Sequence, residues 1–328
     1  MMADQPLCSI VIRAFNEEEH IGRLLTGIME QSTEDIEIIV VDSGSTDATV
    51  AIASRFPAKI IHIQPEDFTF GRSLNLGCQT AQGKYLVFAS AHVYPLYRDW
   101  IESLLAPFED KRIALVYGKQ RGAETTRYSE HQQFARMYPE ESTIPQRHPL
   151  CNNANAAIRR DLWKERPFDE SLSGLEDLEW ATWAIEQQYL LAYNADAEVI
   201  HVHEERPRQV FNRYKREAIA LAQIRPEESF GVLDFLRLYL SNVRRDFRHA
   251  LSDGKFLDFF SEILWFRWMQ FWGTYIGFRH AGPVTDEVIQ AFYYPNDVSR
   301  RREGDKVPRE AIDYSEVGHH GKAPGQHE

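Results

Sequence analysis

Four short apolar runs fall within the first ninety residues: 7–13 (LCSIVIR), 36–41 (IEIIVV), 59–63 (KIIHI) and 85–89 (YLVFA). The stretches between them carry apolar residues at helical spacing, as in Ile21, Leu24, Leu25 and Ile28. Strand alternating with helix in this way builds a parallel sheet with right-handed crossovers, and strands covered on both faces read as near-continuous apolar runs. The segment 84–92, KYLVFASAH, breaks abruptly from such a strand into small and polar residues. Open α/β sheets hold their ligands at the carboxyl ends of their strands. Asp42, Arg72, Asn75, Ser90 and His92 are therefore predicted to converge on one rim, although they are far apart in the chain.

Composition narrows what could bind there. Of the 328 residues, 37 are basic and 49 acidic, a formal charge of -12. Duplex nucleic acid is met by basic surface, so no nucleic-acid partner is expected, and a sugar, nucleotide or small polar acceptor fits better. Cys8, Cys78 and Cys151 lack the paired spacing of a zinc site or a disulfide framework. With no apolar run of ~20 residues and no basic leader before one, the expected location is cytoplasmic.

Each polar motif has two readings. Asn16 is a plausible N-cap, followed by acidic residues 17–19 in a first helical turn. In Asp42-Ser43-Gly44-Ser45-Thr46-Asp47 the Asp42 carboxylate could accept hydrogen bonds from a base or ribose, or the whole motif could be a capped turn. Arg72 and Asn75 open a short helix, suited to phosphate or sugar hydroxyls or simply to a surface. Asn152, Asn153 and Asn155 offer neutral hydroxyl-binding groups and are equally turn formers. Glu176 and Asp177 start a helix, where acids suit the dipole.

The polar span 118–150 is long for a connection and points to a functional excursion. After Val202 come predicted helices over 207–222, 231–251 and 255–279. The last is dense in Phe and Trp, which suits packing or a homodimer interface and, next, contact with a membrane surface. From Ser299 onward the chain is charged and expected to be loosely held.

The ordered set IVIRAFNEE, EIIVVDSGSTDAT, FGRSLNLG, GKYLVFASAH and GLEDLEW, spread over roughly residues 7–220, resembles a family 2 glycosyltransferase of the GT-A fold. YGKQRG at 117–122, YPEES at 138–142 and HVH followed by FNRYKREA resemble its bacterial rhamnosyltransferase-like branch. The resemblance implies an α/β, Rossmann-like, mostly parallel sheet flanked by helices, with a C-terminal helical extension. It divides the chain into a glycosyltransferase domain, 1–225, with a nucleotide-sugar half (1–117) and an acceptor half (118–225). An aromatic-rich extension, 226–298, and a polar tail, 299–328, follow.

The same resemblance implies inverting transfer from a nucleotide-sugar donor, of UDP or dTDP type, to a saccharide or lipid-linked saccharide in surface polysaccharide or glycolipid synthesis. Ala14, Asn16, Glu17, Asp42, Gly44, Arg72, Asn75, Ser90 and His92 would lie at the donor, Asn153, Asn155 and Glu176 at the acceptor, and Asp177 at the position of the base. The family's Asp-x-Asp pair is replaced here by Ser90-Ala91-His92. A divalent metal, Mn or Mg, would then need His92 with His203 or His201. Alternatively Arg72, Arg121, Arg213 or Lys215 would stabilise the leaving diphosphate. The missing pair also motivates a different reading, a non-catalytic nucleotide-sugar-binding or scaffold subunit.

Overall fold

The four apolar runs form β1 (Cys8–Ala14), β2 (Ile36–Asp42), β3 (Ala58–His62) and β4 (Tyr85–Ser90). They come from a computed structural model that describes residues 5–64, 67–279, 309–315 and 317. All pair in parallel, side by side as β3-β2-β1-β4, as the spacing predicts. Helices α1 (Ile21–Met29), α2 (Thr49–Ala53) and α3 (Phe70–Thr80) make the crossovers.

Because successive side chains of a strand point to opposite faces, β1 feeds two cores at once. Ile10 and Ile12 pack with Leu24, Leu25 and Ile28 of α1, while Val11 packs with Leu74 and Cys78 of α3. Gly77 lets α3 lie close: a Cβ there would sit 2.4 Å from Val11 Cγ1.

The second half of the sheet is mixed. β5 (Val93–Pro95), β6 (Ile113–Gly122), β7 (Thr143–Gln146), β8 (Asn155–Arg159) and β9 (Leu190–His201) extend it to β3-β2-β1-β4-β8-β6-β9-β5, with β7 paired to β9. β8 runs antiparallel between β4 and β6, and β6 pairs in parallel with β9. Three further helices flank this half: α4 (Trp100–Leu105), α5 (Tyr128–Met137) and α6 (Arg160–Glu165). The span 118–150 therefore holds the end of β6, all of α5 and β7. A fourth flanking helix, α7 (Glu176–Glu186), leads into β9.

The C-terminal helices lie close to the predicted bounds: α8 (Pro207–Ile224), α9 (Val232–Ser252) and α10 (Phe256–Arg279). α10 buries Phe266 and Phe271 against α8 and α9, while Leu257, Phe260, Trp268 and Trp272 of the same helix stay exposed. Gly273 and Gly277 allow that approach, since a Cβ at either would lie 2.5 Å from a carbonyl oxygen of α8, Phe211 or Lys215. Among the described residues, no helix is long and apolar enough to cross a membrane.

A charged knot fixes the three layers together. Arg267 of α10 pairs with Asp246 of α9 at 2.7 Å, both fully buried. Arg267 also donates to the Ser129 carbonyl at 2.9 Å and to Gln270 Oε1 at 2.7 Å, while the Ser129 hydroxyl donates to Asp246 at 2.7 Å.

The expectation of a loosely held tail is corrected for residues 309–315. Arg309 pairs with Asp99 at 2.7 Å and covers the Tyr97 ring at 4.1 Å, and the Tyr314 hydroxyl donates to the Pro95 carbonyl at 2.6 Å. These contacts strap the segment to the chain just beyond β5. Apart from Val317, whose N–H donates to the Tyr314 carbonyl at 3.0 Å, the remainder of the tail and residues 280–298 of the extension lie outside the described residues.

Replacing Asp246 with Ala leaves the Arg267 charge buried without its counter-ion. The expected loss is ~3–5 kcal/mol of unfolding free energy, read from chemical denaturation.

Candidate active site

The loops after β1, β4 and β9, the approach to β8 and the first turn of α7 close around a cavity of about 510 Å³, walled on one side by α8. Arg13, Glu17, Ser90, His92, Asn153, Glu176, Asp177, His201 and His203 all line it. The rim predicted from the parallel strands thus brings His92 and Asp177 into one hollow.

Asp177 owes its position to an unusual backbone. Leu175, immediately before α7, has φ +58°, a left-handed conformation that costs a non-glycine residue ~1–3 kcal/mol. That turn puts Glu176 and Asp177 at the head of α7. Asp177 accepts the Asn153 backbone N–H at 2.9 Å and the Leu178 N–H at 2.8 Å. Its carboxyl is pushed up to about 7, first by burial and then by the Glu176 charge, against the pull of the two N–H groups and Arg13. A carboxyl poised near neutrality can take up a proton when a bound hydroxyl becomes acidic.

Glu176 is held by Arg13 at 3.0 Å. Arg13 lies over one ring, Phe70, at 4.8 Å, and Arg216 lies over the same ring at 4.7 Å. Two guanidinium groups thus stand beside the acid pair. Asn153 is buried and neither polar atom of its side chain has a partner, so it offers both a donor and an acceptor at the cavity.

Across from the acid pair stand three histidines. His92 Nδ1 lies 2.7 Å from Glu17, His201 Nδ1 2.7 Å from Gln120 Oε1, and His203 Nδ1 2.7 Å from Glu130. His201 Nε2 is buried with no partner. One ring nitrogen of each comes within 4.8 Å of the other two, so the donor set fits a divalent cation. Burial, then the neighbouring imidazoles, hold His201 well below the usual histidine range, hence neutral. Burial would raise the Glu130 carboxyl, but Arg213 and His203 overcome it and hold it well below the usual carboxylate range.

Several predicted site residues do other work. Asn16 is not an N-cap: it sits at φ +54°, its side chain accepts from the Thr46 N–H at 2.8 Å, and α1 begins five residues later. Asp42 is buried and accepts from the Gly44 and Ser45 N–H groups, at 3.2 and 3.3 Å, whereas the helix that follows starts at Thr49 without a side-chain cap from Ser45 or Thr46. Gly44 supports the turn with φ +87°, and the Ala14 carbonyl accepts from Ser43. These four residues form the neighbouring rim and do not line the cavity with Asp177.

Asn75 and Asn155 are corrected outright as sugar-facing groups. Asn75 is spent on Phe168, Glu170 and Trp163, and Asn155 on Trp100, Lys119 and Ala197. Arg72 is exposed, 3.8 Å from Asp67, and is absent from the cavity wall. Arg121 is occupied by Glu140 and Glu198, and Lys215 does not line the cavity. Of the four expected cations only Arg213 reaches the wall, paired with Glu130 and Glu205 at 2.6 Å. Arg13, Phe70, Arg216 and Glu130 escaped the sequence reading. Arg13, a charge closing an otherwise apolar strand, carried a usable signal, whereas Glu130 is one polar residue among many.

Comparison with known proteins accords with this geometry. A family model described as Glycosyl transferase family 2 matches residues 9–166. The chain is 30% identical over 196 residues to the O-antigen chain rhamnosyltransferase WbaN of Salmonella anatum, covering 56% of this chain and 62% of that one. It is 29% identical over 219 residues to the O-antigen chain rhamnosyltransferase RfbN of Salmonella typhimurium, covering 63% and 69%. The match to the first of these spans less than two thirds of its length. Among solved structures, a mannosyltransferase from Pyrobaculum calidifontis, in complex with GDP-Man and Mn2+, superposes with a TM-score of 0.56 at 18% identity over 88% of each chain, a likeness of fold alone. Sheet, helices and family match agree: the chain has the GT-A fold, residues 9–166 match the glycosyl transferase family 2 model, and the chain is similar to O-antigen chain rhamnosyltransferases.

Proposed function

We propose that the protein is an inverting glycosyltransferase that moves a hexosyl or deoxyhexosyl unit from a nucleotide-sugar to an acceptor hydroxyl in surface polysaccharide or glycolipid synthesis. The observation that carries this reading is the buried Asp177, raised to about 7 in a cavity that also holds the histidines and the two guanidinium groups that face the Phe70 ring. The acceptor oxygen attacks the anomeric carbon and its proton passes to an Asp177 carboxylate oxygen. The bond from that carbon to the diphosphate breaks, and the nucleoside diphosphate leaves with the electron pair.

Arg13 and Arg216 lie where fixed positive charge favours an anionic leaving group. Asn153, with both side-chain polar atoms unpaired, and Glu176 suit the acceptor's hydroxyls. A divalent cation held by His92 and His203 would neutralise diphosphate charge. The loops of Ala14, Asn16, Asp42 and Gly44 adjoin Glu17 on the donor side, and a UDP or dTDP sugar suits that rim. A lipid-linked acceptor is supported by α9, where exposed Leu233, Leu236 and Leu240 share the helix with exposed Arg237, Arg244 and Arg248. Such a surface suits contact with an anionic membrane face.

Thermal-shift measurements across UDP, dTDP, GDP and CMP sugars identify the donor, because a ligand of the native state raises the melting temperature. Asp177→Asn should lower kcat by ~10²–10⁴-fold while keeping the donor-induced shift. A binding-only subunit would show the shift with no turnover in the parent protein. Since the base must be ionised, kcat/KM should rise with pH through an acid limb near the value of about 7 held by Asp177. Glu176→Gln removes the negative neighbour and should move that limb to lower pH, as read from the pH profile.

A further inference from the structure

We propose that His92, His201 and His203 together form a three-nitrogen site that selects a first-row transition-metal ion over magnesium. The inference deepens the cation site named in the proposed function and is tested without any donor, so its failure is distinct from a failure of sugar transfer.

Three features build the site. Each Nδ1 faces an oxygen of Glu17, Gln120 or Glu130 at 2.7 Å. An acceptor at Nδ1 fixes the tautomer and leaves the lone pair on Nε2, which is how ligating histidines are ordinarily oriented. The second feature is His201 Nε2, which is buried at the cavity without a partner although the residue is only 6% exposed. A buried polar atom left unpaired is costly, and a bound cation removes that cost. Third, the rings are packed together, with centroids 4.0 Å apart for His201 and His203 and 5.0 Å for His92 and His201. Two adjacent imidazolium ions would repel at that spacing, whereas neutral imidazoles can share one cation.

The donor set decides the metal. Magnesium requires oxygen ligands in near-octahedral geometry and gives up water reluctantly. Three imidazole nitrogens suit Zn2+, Co2+, Ni2+ or Fe2+, and three protein ligands leave a position open to water or substrate. All three histidines line the cavity that Asp177 also lines, so water or substrate there could take such a position. Glu130, His203 and Glu205 also lie within ligand reach of one another. There, however, Arg213 already occupies both carboxylates at 2.6 Å, so a cation would have to displace a guanidinium. Glu130 is better placed as the positioning residue for His203.

The full chain, stripped with chelator, is titrated with Co2+ and followed by visible absorption, with Zn2+ and Mg2+ as competitors. The expected result is one saturable Co2+ site per chain, displaced by Zn2+ and not by millimolar Mg2+. His92→Gln, at a half-exposed position that spares the core, and His201→Gln should each abolish it, with folding checked by circular dichroism. Glu130→Gln should weaken it by about 10- to 100-fold. Failure to bind Co2+ saturably, displacement by Mg2+, or binding that survives both histidine substitutions would overturn the proposal. Survival of that kind is what the tail histidines, His319, His320 and His327, would produce.

Discussion

Everything about the site depends on β1 being covered on both faces and paired in parallel on both edges. Ile10 and Ile12 are pinned under α1 and Val11 under α3, so the strand can neither shift register nor rotate without exposing one core. Its neighbours β2 and β4 take their register from it, with Ala14 opposite Asp42 and Arg13 opposite Ser90. Polar residues that would cost stability inside the sheet are thereby delivered together at its edge. The hollow between the two halves follows from that delivery, because β8 enters antiparallel beside β4 and brings Asn153 towards α7.

Charge is placed in this molecule with its compensation already built in. The Arg267 and Asp246 knot is fully buried, and in the Arg13 and Glu176 pair and the Glu130 and Arg213 pair the carboxylate is buried and the guanidinium partly so. Each is supported by further hydrogen bonds or by a ring, as buried charges must be if they are not to unfold the chain. Asp177 is the exception among them: among the described residues its hydrogen-bond partners are two backbone N–H groups, and the neighbouring charge that acts on it most, Glu176, has the same sign. Such an arrangement costs stability and raises proton affinity together, which is the trade made where a group must exchange protons near neutrality.

How much of this was legible in advance divides along the length of the contacts involved. β1 to β4 could be read because parallel strands buried on both faces leave continuous apolar runs, and the C-terminal helices fall close to the ranges expected for them. β7 and β8 left weaker traces: Asn155–Arg159 is short and begins with an asparagine that serves packing. The site was legible in outline, through His92, Asp177 and Glu17. It was not legible in detail, because Asn75 and Asn155 are chemically suited to sugars, and only three-dimensional contacts show their groups already used. Nor does the sequence reveal that Gln120 and Glu130, from a strand and a helix, back two of the histidines.

The glycines of α10 tie the outer helices to the chemistry. Gly273 and Gly277 rest on the carbonyls of Phe211 and Lys215, one turn apart on α8. Between and beside those carbonyls α8 carries Arg213 and Arg216 into the cavity wall. The reach of both cations is therefore set by backbone-to-backbone contact on the far side of the helix, where there is no side chain to yield. The extension acts as a fixed abutment for one wall of the cavity, so residues of α10 that do not line it still bear on its shape.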